Sequence, residues 1–139
     1  MAPKHSFDME FSKLLSTNVQ AARDLLKTTP DRCMGSLVIA AQYGHDDIVK
    51  TLRSKGCEWG ADTSLGYAIN GDVNKLKWAY EDGCTLHPEC TMFAAQEGHL
   101  DMLKWLAERN CPINDRVFDA AEFANHAHVT QWLSEEYSP

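Results

Sequence analysis

Apolar residues in this chain fall in short blocks at helical spacing, and the blocks come in pairs divided by a glycine. The pair from Cys90 to Asn110 is the clearest. Met92, Phe93, Ala94 and Ala95 form one block that ends at Gly98, and Leu100, Met102, Leu103, Trp105 and Leu106 then lie on one helical stripe. Gly98 supplies the turn, because glycine alone reaches left-handed backbone angles without steric cost. Asp101 falls in the first turn of the second helix, where negative charge suits the helix dipole, and Lys104 can pair with it on the same face. Asn110 suits a left-handed cap, and Pro112 stops the helix from continuing. The pattern predicts helix, turn, helix, short loop.

That unit recurs every 27 residues without a gap. Gly44, Gly71, Gly98 and Asn125 share one column, Cys57, Cys84 and Cys111 a second, and Trp78, Trp105 and Trp132 a third. One period back, Asp72 replaces the histidine as a helix N-cap and Gly83 ends the helix; Gly56 ends the one before. Earlier still, Asn18 caps a stripe of Val19, Ala22, Leu25 and Leu26, preceded by Phe7, Phe11, Leu14 and Leu15 at helical spacing. Ala41, Ala68 and Ala95 keep one column small, so that neighbouring helices can approach. A fixed period of about 20–50 residues means stacked units that share a core with their neighbours. The expected architecture is all-α: one domain over 1–139, with units near 5–30, 33–57, 63–84, 90–111 and 117–137. In the last unit His128, Thr130 and Gln131 stand where Asp101, Leu103 and Lys104 stood, so an apolar column turns polar. Both end units are degenerate, as terminal caps are, and the chain is expected to be complete.

Composition narrows the partners. The 139 residues carry a net charge of −7 with 44% hydrophobic and 24% charged residues, which suits a globular domain. No basic stripe appears, so nucleic acid and anionic membrane are poor partners and a basic or neutral protein is a better one. The longest apolar runs, such as Leu37 to Ala41, are far too short to cross a bilayer, and Asp8 and Glu10 interrupt any leader-like start. Cys57, Cys84 and Cys111 repeat once per layer, and helical layers lie ~8–10 Å apart, beyond the roughly 7 Å a disulfide spans. Five free, buried thiols are expected, together with a reducing compartment, cytoplasm or nucleus. Zinc-type Cys or His pairs are missing, and no metal or cofactor is expected.

Ala40-Ala41-Gln42-Tyr43-Gly44-His45 and Ala94-Ala95-Gln96-Glu97-Gly98-His99, each opening a helix–turn–helix unit, resemble the ankyrin repeat over about residues 7 to 137. The usual 33-residue period and Thr-Pro-Leu-His start are replaced here by a period of 27. Gly56-Cys57-Glu58-Trp59, Leu76-Lys77-Trp78 and Leu103-Lys104-Trp105 resemble the short ankyrin units abundant in giant DNA viruses, some algae and oomycetes. The resemblance implies an ankyrin-type solenoid with short loops, acting as a non-catalytic protein-binding module on its concave side. It places the contacts in the loops and at the two positions before each turn glycine: Gln42 and Tyr43, Ile69 and Asn70, Gln96 and Glu97, Phe123 and Ala124. These pairs vary between units while flanking columns repeat, as exposed positions are free to do. Tyr43, Ile69 and Phe123 would then make an apolar strip among amides. The resemblance also marks Asn114 as a position where such loops can be hydroxylated.

Other residues are weighed for chemistry. His45, His99 and His126 share the column after the turn glycine and read as turn-bonding residues, while His126 and His128 should point to different faces. His87 lies off the column, in the loop Thr85 to Glu89, and is placed to touch a partner. Trp78, Trp105 and Trp132 read as a ladder along the outer helices. Trp59, in a loop, reads either as a packed residue or as an interface anchor. No phosphate loop, nucleophile elbow or zinc-protease motif is present, so no enzymatic activity is expected. The alternative to a partner-binding adaptor is a structural subunit held inside a larger assembly.

Overall fold

The structure is a computed structural model and describes residues 4–28 and 33–137. Ten helices are present and no strand among the described residues: α1 (Lys4–Thr17), α2 (Val19–Thr28), α3 (Cys33–Gln42), α4 (Asp46–Ser54), α5 (Thr63–Asn70), α6 (Val73–Glu81), α7 (Cys90–Gln96), α8 (Leu100–Glu108), α9 (Asp115–Phe123) and α10 (Ala127–Tyr137). They form consecutive antiparallel pairs, so the all-α solenoid expected from the period is what the chain adopts. The side chains of Phe7 and Cys33, for which packing and a free thiol were expected, lie outside those described.

Backbone angles show why the period is carried by glycine and asparagine. Gly44, Gly71, Gly98 and Asn125 all take positive φ, 78°, 86°, 77° and 65°, and so turn the inner helix into the outer one. The outer helices end the same way at Gly56, Gly83 and Asn110. The N-caps read from the sequence are also in place. Asp72 accepts the Lys75 N–H at 3.3 Å, and Asn18 accepts that of Ala21 at 3.1 Å.

The odd-numbered helices α3, α5, α7 and α9 pack directly on one another, whereas the even-numbered ones touch each other far less. The stack therefore bends toward the odd row, which is its concave side. Close approach depends on small residues: Ala41, Ala68 and Ala95 are fully covered by the neighbouring layer. Gly66 makes the α3–α5 approach closest, since a Cβ there would sit 2.5 Å from the Val38 carbonyl oxygen. One period after Ala95 the column holds Glu122, which is exposed on the end face beside Asn125, Thr130 and Gln131. A carboxylate stands there in place of a packing alanine and makes that surface polar.

Histidines tie the layers together. The Nε2–H of His45, His99 and His126 donates to the carbonyls of Leu15, Ile69 and Gln96 at 3.0–3.1 Å, each thirty residues back. The turn-bonding reading thus holds, with the bond made to the preceding layer. Where Asp72 replaces histidine, Lys75 donates to the Gly44 carbonyl at 2.8 Å and Asn70 to that of Gln42 at 3.3 Å. His128 does not turn away from His126: the rings lie 5.9 Å apart, and His128 bonds the Gly98 carbonyl at 2.9 Å.

Two further expectations are corrected. The outer tryptophans do not stack on one another; Trp78 meets Trp59, Trp105 meets Tyr80, and Trp132 meets Tyr137, all edge to face. None of the three indoles meets another of its own column: Trp105 packs on Tyr80 of the preceding outer helix, Trp78 on the loop residue Trp59, and Trp132 on Tyr137 of its own helix. The thiol expectation holds for Cys84, Cys90 and Cys111, which are free and buried, but Cys57 is disulfide-bonded. The layer-spacing argument excluded only bridges within its own column. The inference of a reducing compartment, which rested on five free thiols, loses that support.

Candidate protein-binding face

The two faces of the stack differ in what their side chains do. On the outer side the aromatic rings are engaged with one another and with several cations. Arg53 lies 4.7 Å over the Trp59 ring and donates to the Cys57 carbonyl at 2.7 Å and to Asp82 Oδ2 at 3.0 Å. Trp59 Nε1–H donates to the same carboxylate oxygen at 3.1 Å. Lys50 covers Trp78 at 5.0 Å, and Arg109 covers Trp105 at 4.8 Å. Such cation–ring contacts stabilise by about 0.5–1 kcal/mol when exposed and more when desolvated.

Trp59 is thus half-buried and knotted to the following loop through Asp82. His87 is half-buried as well. Its Nδ1 accepts the Glu89 N–H at 3.0 Å, and its own backbone N–H donates to Ser64 Oγ at 2.8 Å. Both loop residues hold consecutive layers in register.

The concave row carries the remaining candidates, one pair per layer at the C-terminal end of each inner helix. Tyr43 is 44% exposed and Phe123 is 94% exposed. Gln96 and Glu97 are exposed, while Gln42, Ile69, Asn70 and Ala124 are half-buried. Asn70 is committed to the turn: besides Gln42, it holds the Asp72 N–H at 3.3 Å. Ile69 is turned partly inward. Tyr43 and Phe123 stand three layers apart, roughly 24–30 Å at ~8–10 Å per layer, with Gln96 between them. The two exposed rings are therefore separate positions on one face.

A cleft of about 670 Å³ opens between α7 and α9 beside Phe123. Met92, Ala120 and Phe123 give it an apolar wall, and Glu97, Asp119 and Arg116 rim it. Asp119 and Phe123 stand four residues apart on α9, hence on one side of that helix. Sequence reasoning missed Met92, Arg116, Asp119 and Ala120. The signal was available: α3, α5 and α7 contain no charged residue, whereas α9 contains Asp115, Arg116, Asp119 and Glu122. Arg116 pairs with Glu89 one layer back at 2.9 Å.

The buried thiols do not form a reactive site. Burial pushes Cys84 up to about 12 and Cys90 to about 11, and Cys111 in the same direction. They stay protonated at neutral pH and so lack the thiolate that nucleophilic or metal chemistry needs. No cluster of three or more metal-ligating side chains occurs among the described residues. No described helix is long and apolar enough to cross a membrane.

No curated protein matches the chain. The family model described as ankyrin repeats (3 copies) matches residues 11–117. Repeats of that family are generally protein–protein interaction modules and typically non-catalytic. Paired helices, left-handed turns at a fixed period and this match lead to one conclusion: the chain belongs to the ankyrin-repeat family.

Proposed function

We propose that this chain is a non-catalytic module that binds another protein along the concave row of inner-helix ends. The observation that carries the reading is Phe123. Every tryptophan of the molecule is at least half-buried, whereas Phe123 leaves 94% of its surface in water beside an open cleft. A ring of that size gains about 1.5–3 kcal/mol on full burial, and nothing among the described residues buries it. Gln96, Glu97 and Tyr43 extend the face along the stack and supply the polar contacts that surround an apolar anchor. Trp59 and His87 fall outside the contact face in this reading, because the Trp59 indole N–H is already bonded to Asp82 and His87 Nδ1 to the Glu89 N–H.

Site-specific photocrosslinking tests the proposal. A photoreactive side chain at position 96, on the concave row, should capture partner protein in cell extract. The same group at position 77, exposed on the outer helix α6, should capture little. Equal capture at both positions, or capture only at 77, would overturn the concave-face assignment.

A further inference from the structure

The cleft at α7 and α9 has a charge signature as well as an apolar wall. Its rim carries Glu97 and Asp119, and Glu122 follows on the adjoining end face. Among the described residues none of these three carboxylates has an ion-pair partner. The one cation at the rim, Arg116, is held by Glu89. The outer helices α4, α6 and α8 instead carry both signs: Lys50, Arg53, Lys75, Lys77 and Lys104 stand there among Asp46, Asp47, Glu81, Asp101 and Glu108. Cations have been kept off the inner row from α3 to α9, apart from one that is already neutralised.

An unpaired carboxylate beside apolar surface is costly to cover unless the covering group brings a positive charge or a hydrogen-bond donor. An acidic or neutral segment laid over Phe123 would desolvate Glu97 and Asp119 without compensation. A second copy of this chain, itself carrying a net charge of −7, would add repulsion. We infer that the occupant of this cleft is a basic peptide segment of a partner protein. It presents one apolar side chain against Phe123, Ala120 and Met92, flanked by Lys or Arg residues that reach Asp119 and Glu97. An arginine has the further option of stacking its guanidinium on the exposed Phe123 ring. This inference rests on the concave-face reading above and adds the chemistry of the partner.

The test pans a display library of short random peptides on the full chain and reads the binders by fluorescence anisotropy. The enriched pool should be basic, with an apolar residue between cations. Its affinity should fall about tenfold in Glu97→Gln/Asp119→Asn and fall again on raising salt, since exposed ion pairs are screened. The double variant Glu58→Gln/Glu81→Gln removes the same net charge away from the cleft and should bind unchanged. Phe123→Ala should also cost about tenfold. A neutral or acidic pool that is still lost in Phe123→Ala would overturn the basic-segment inference and leave the concave-face reading standing. A pool insensitive to Phe123→Ala, or no enrichment over the Phe123→Ala protein, would overturn both. Concentration-dependent dimerisation in sedimentation velocity, abolished by Phe123→Ala, would make a second copy the occupant and overturn the inference as well.

Discussion

Two sets of aromatic side chains in this molecule meet opposite fates. On the outer row Trp59, Trp78, Tyr80 and Trp105 each meet another ring edge to face, and Lys50, Arg53 or Arg109 lies over each of them. On the inner row Phe123 has, among the described residues, neither a ring nor a cation partner, and it is almost wholly exposed. The outer set has satisfied its apolar faces, its indole N–H groups in part, and its neighbouring charges within the chain. The inner ring has satisfied nothing. Recurrence in a column marks residues the stack uses on itself, and departure from the column, where Gln96 becomes Phe123, marks surface the stack leaves unused.

The strongest way to break both rows at once is alkaline pH. The thiols of Cys84 and Cys90 are raised from 9.0 to about 12 and about 11 by burial, and burial raises Cys111 and the Tyr67 hydroxyl too. Below pH 9 these thiols are protonated in folded and unfolded chains alike, and their full contribution to stability is present. Between 9 and about 11–12 the unfolded chain releases these protons and the folded chain does not, so stability falls as pH rises. Denaturant midpoints measured by circular dichroism should drop across that window, and Cys84→Ala should make the drop shallower. A midpoint flat through the window would refute the burial argument.

A narrower break targets the spacing of the inner row. Ala95→Leu would force bulk into a fully covered column and should cost roughly 1–3 kcal/mol, read as a lower melting temperature. Gly66→Ala should also destabilise, because its Cβ would meet a backbone oxygen at 2.5 Å that no rotamer change can move away. Smaller still is the outer knot. Asp82→Ala removes the acceptor shared by Arg53 and Trp59 and should cost about 1–2 kcal/mol, with a change in tryptophan fluorescence as the Trp59–Trp78 pair loosens. An unchanged emission spectrum would show that the knot does not hold the ring.

Most of the fold was legible in the sequence because the period writes the same backbone event repeatedly. Gly44, Gly71 and Gly98 announce a left-handed turn by residue type alone, and Asn125 and Asn110 are read the same way by position. What escaped were events that depend on which layer faces which. The histidine bonds reach thirty residues back, and Lys75 takes over where Asp72 interrupts the histidine column; neither is visible within one unit. Gly66 sits inside a helix without any local cue that a neighbouring backbone approaches there. The tryptophan column misled for a related reason. Equal spacing placed the rings in one row but could not show that other aromatics, Trp59, Tyr80 and Tyr137, would come between them. On the candidate face, Phe123 and Glu97 were legible as variable positions before the turn. Asp119, Met92 and Ala120 were not, because a cleft between two helices is a property of their packing. Cys57 escaped because the spacing argument compared it only with its own column.

The measurement that bears most directly on the contrast between the two rows is a paired one on Phe123→Ala: its melting temperature and its affinity for a partner bound by the native chain. An exposed ring contributes little to folding, so stability should change by less than about 0.5 kcal/mol, while affinity should fall about tenfold as an interface anchor is lost. If the variant instead melts early and binds its partner as tightly as the native chain, Phe123 belongs to the folding core, and the concave row is not the binding face.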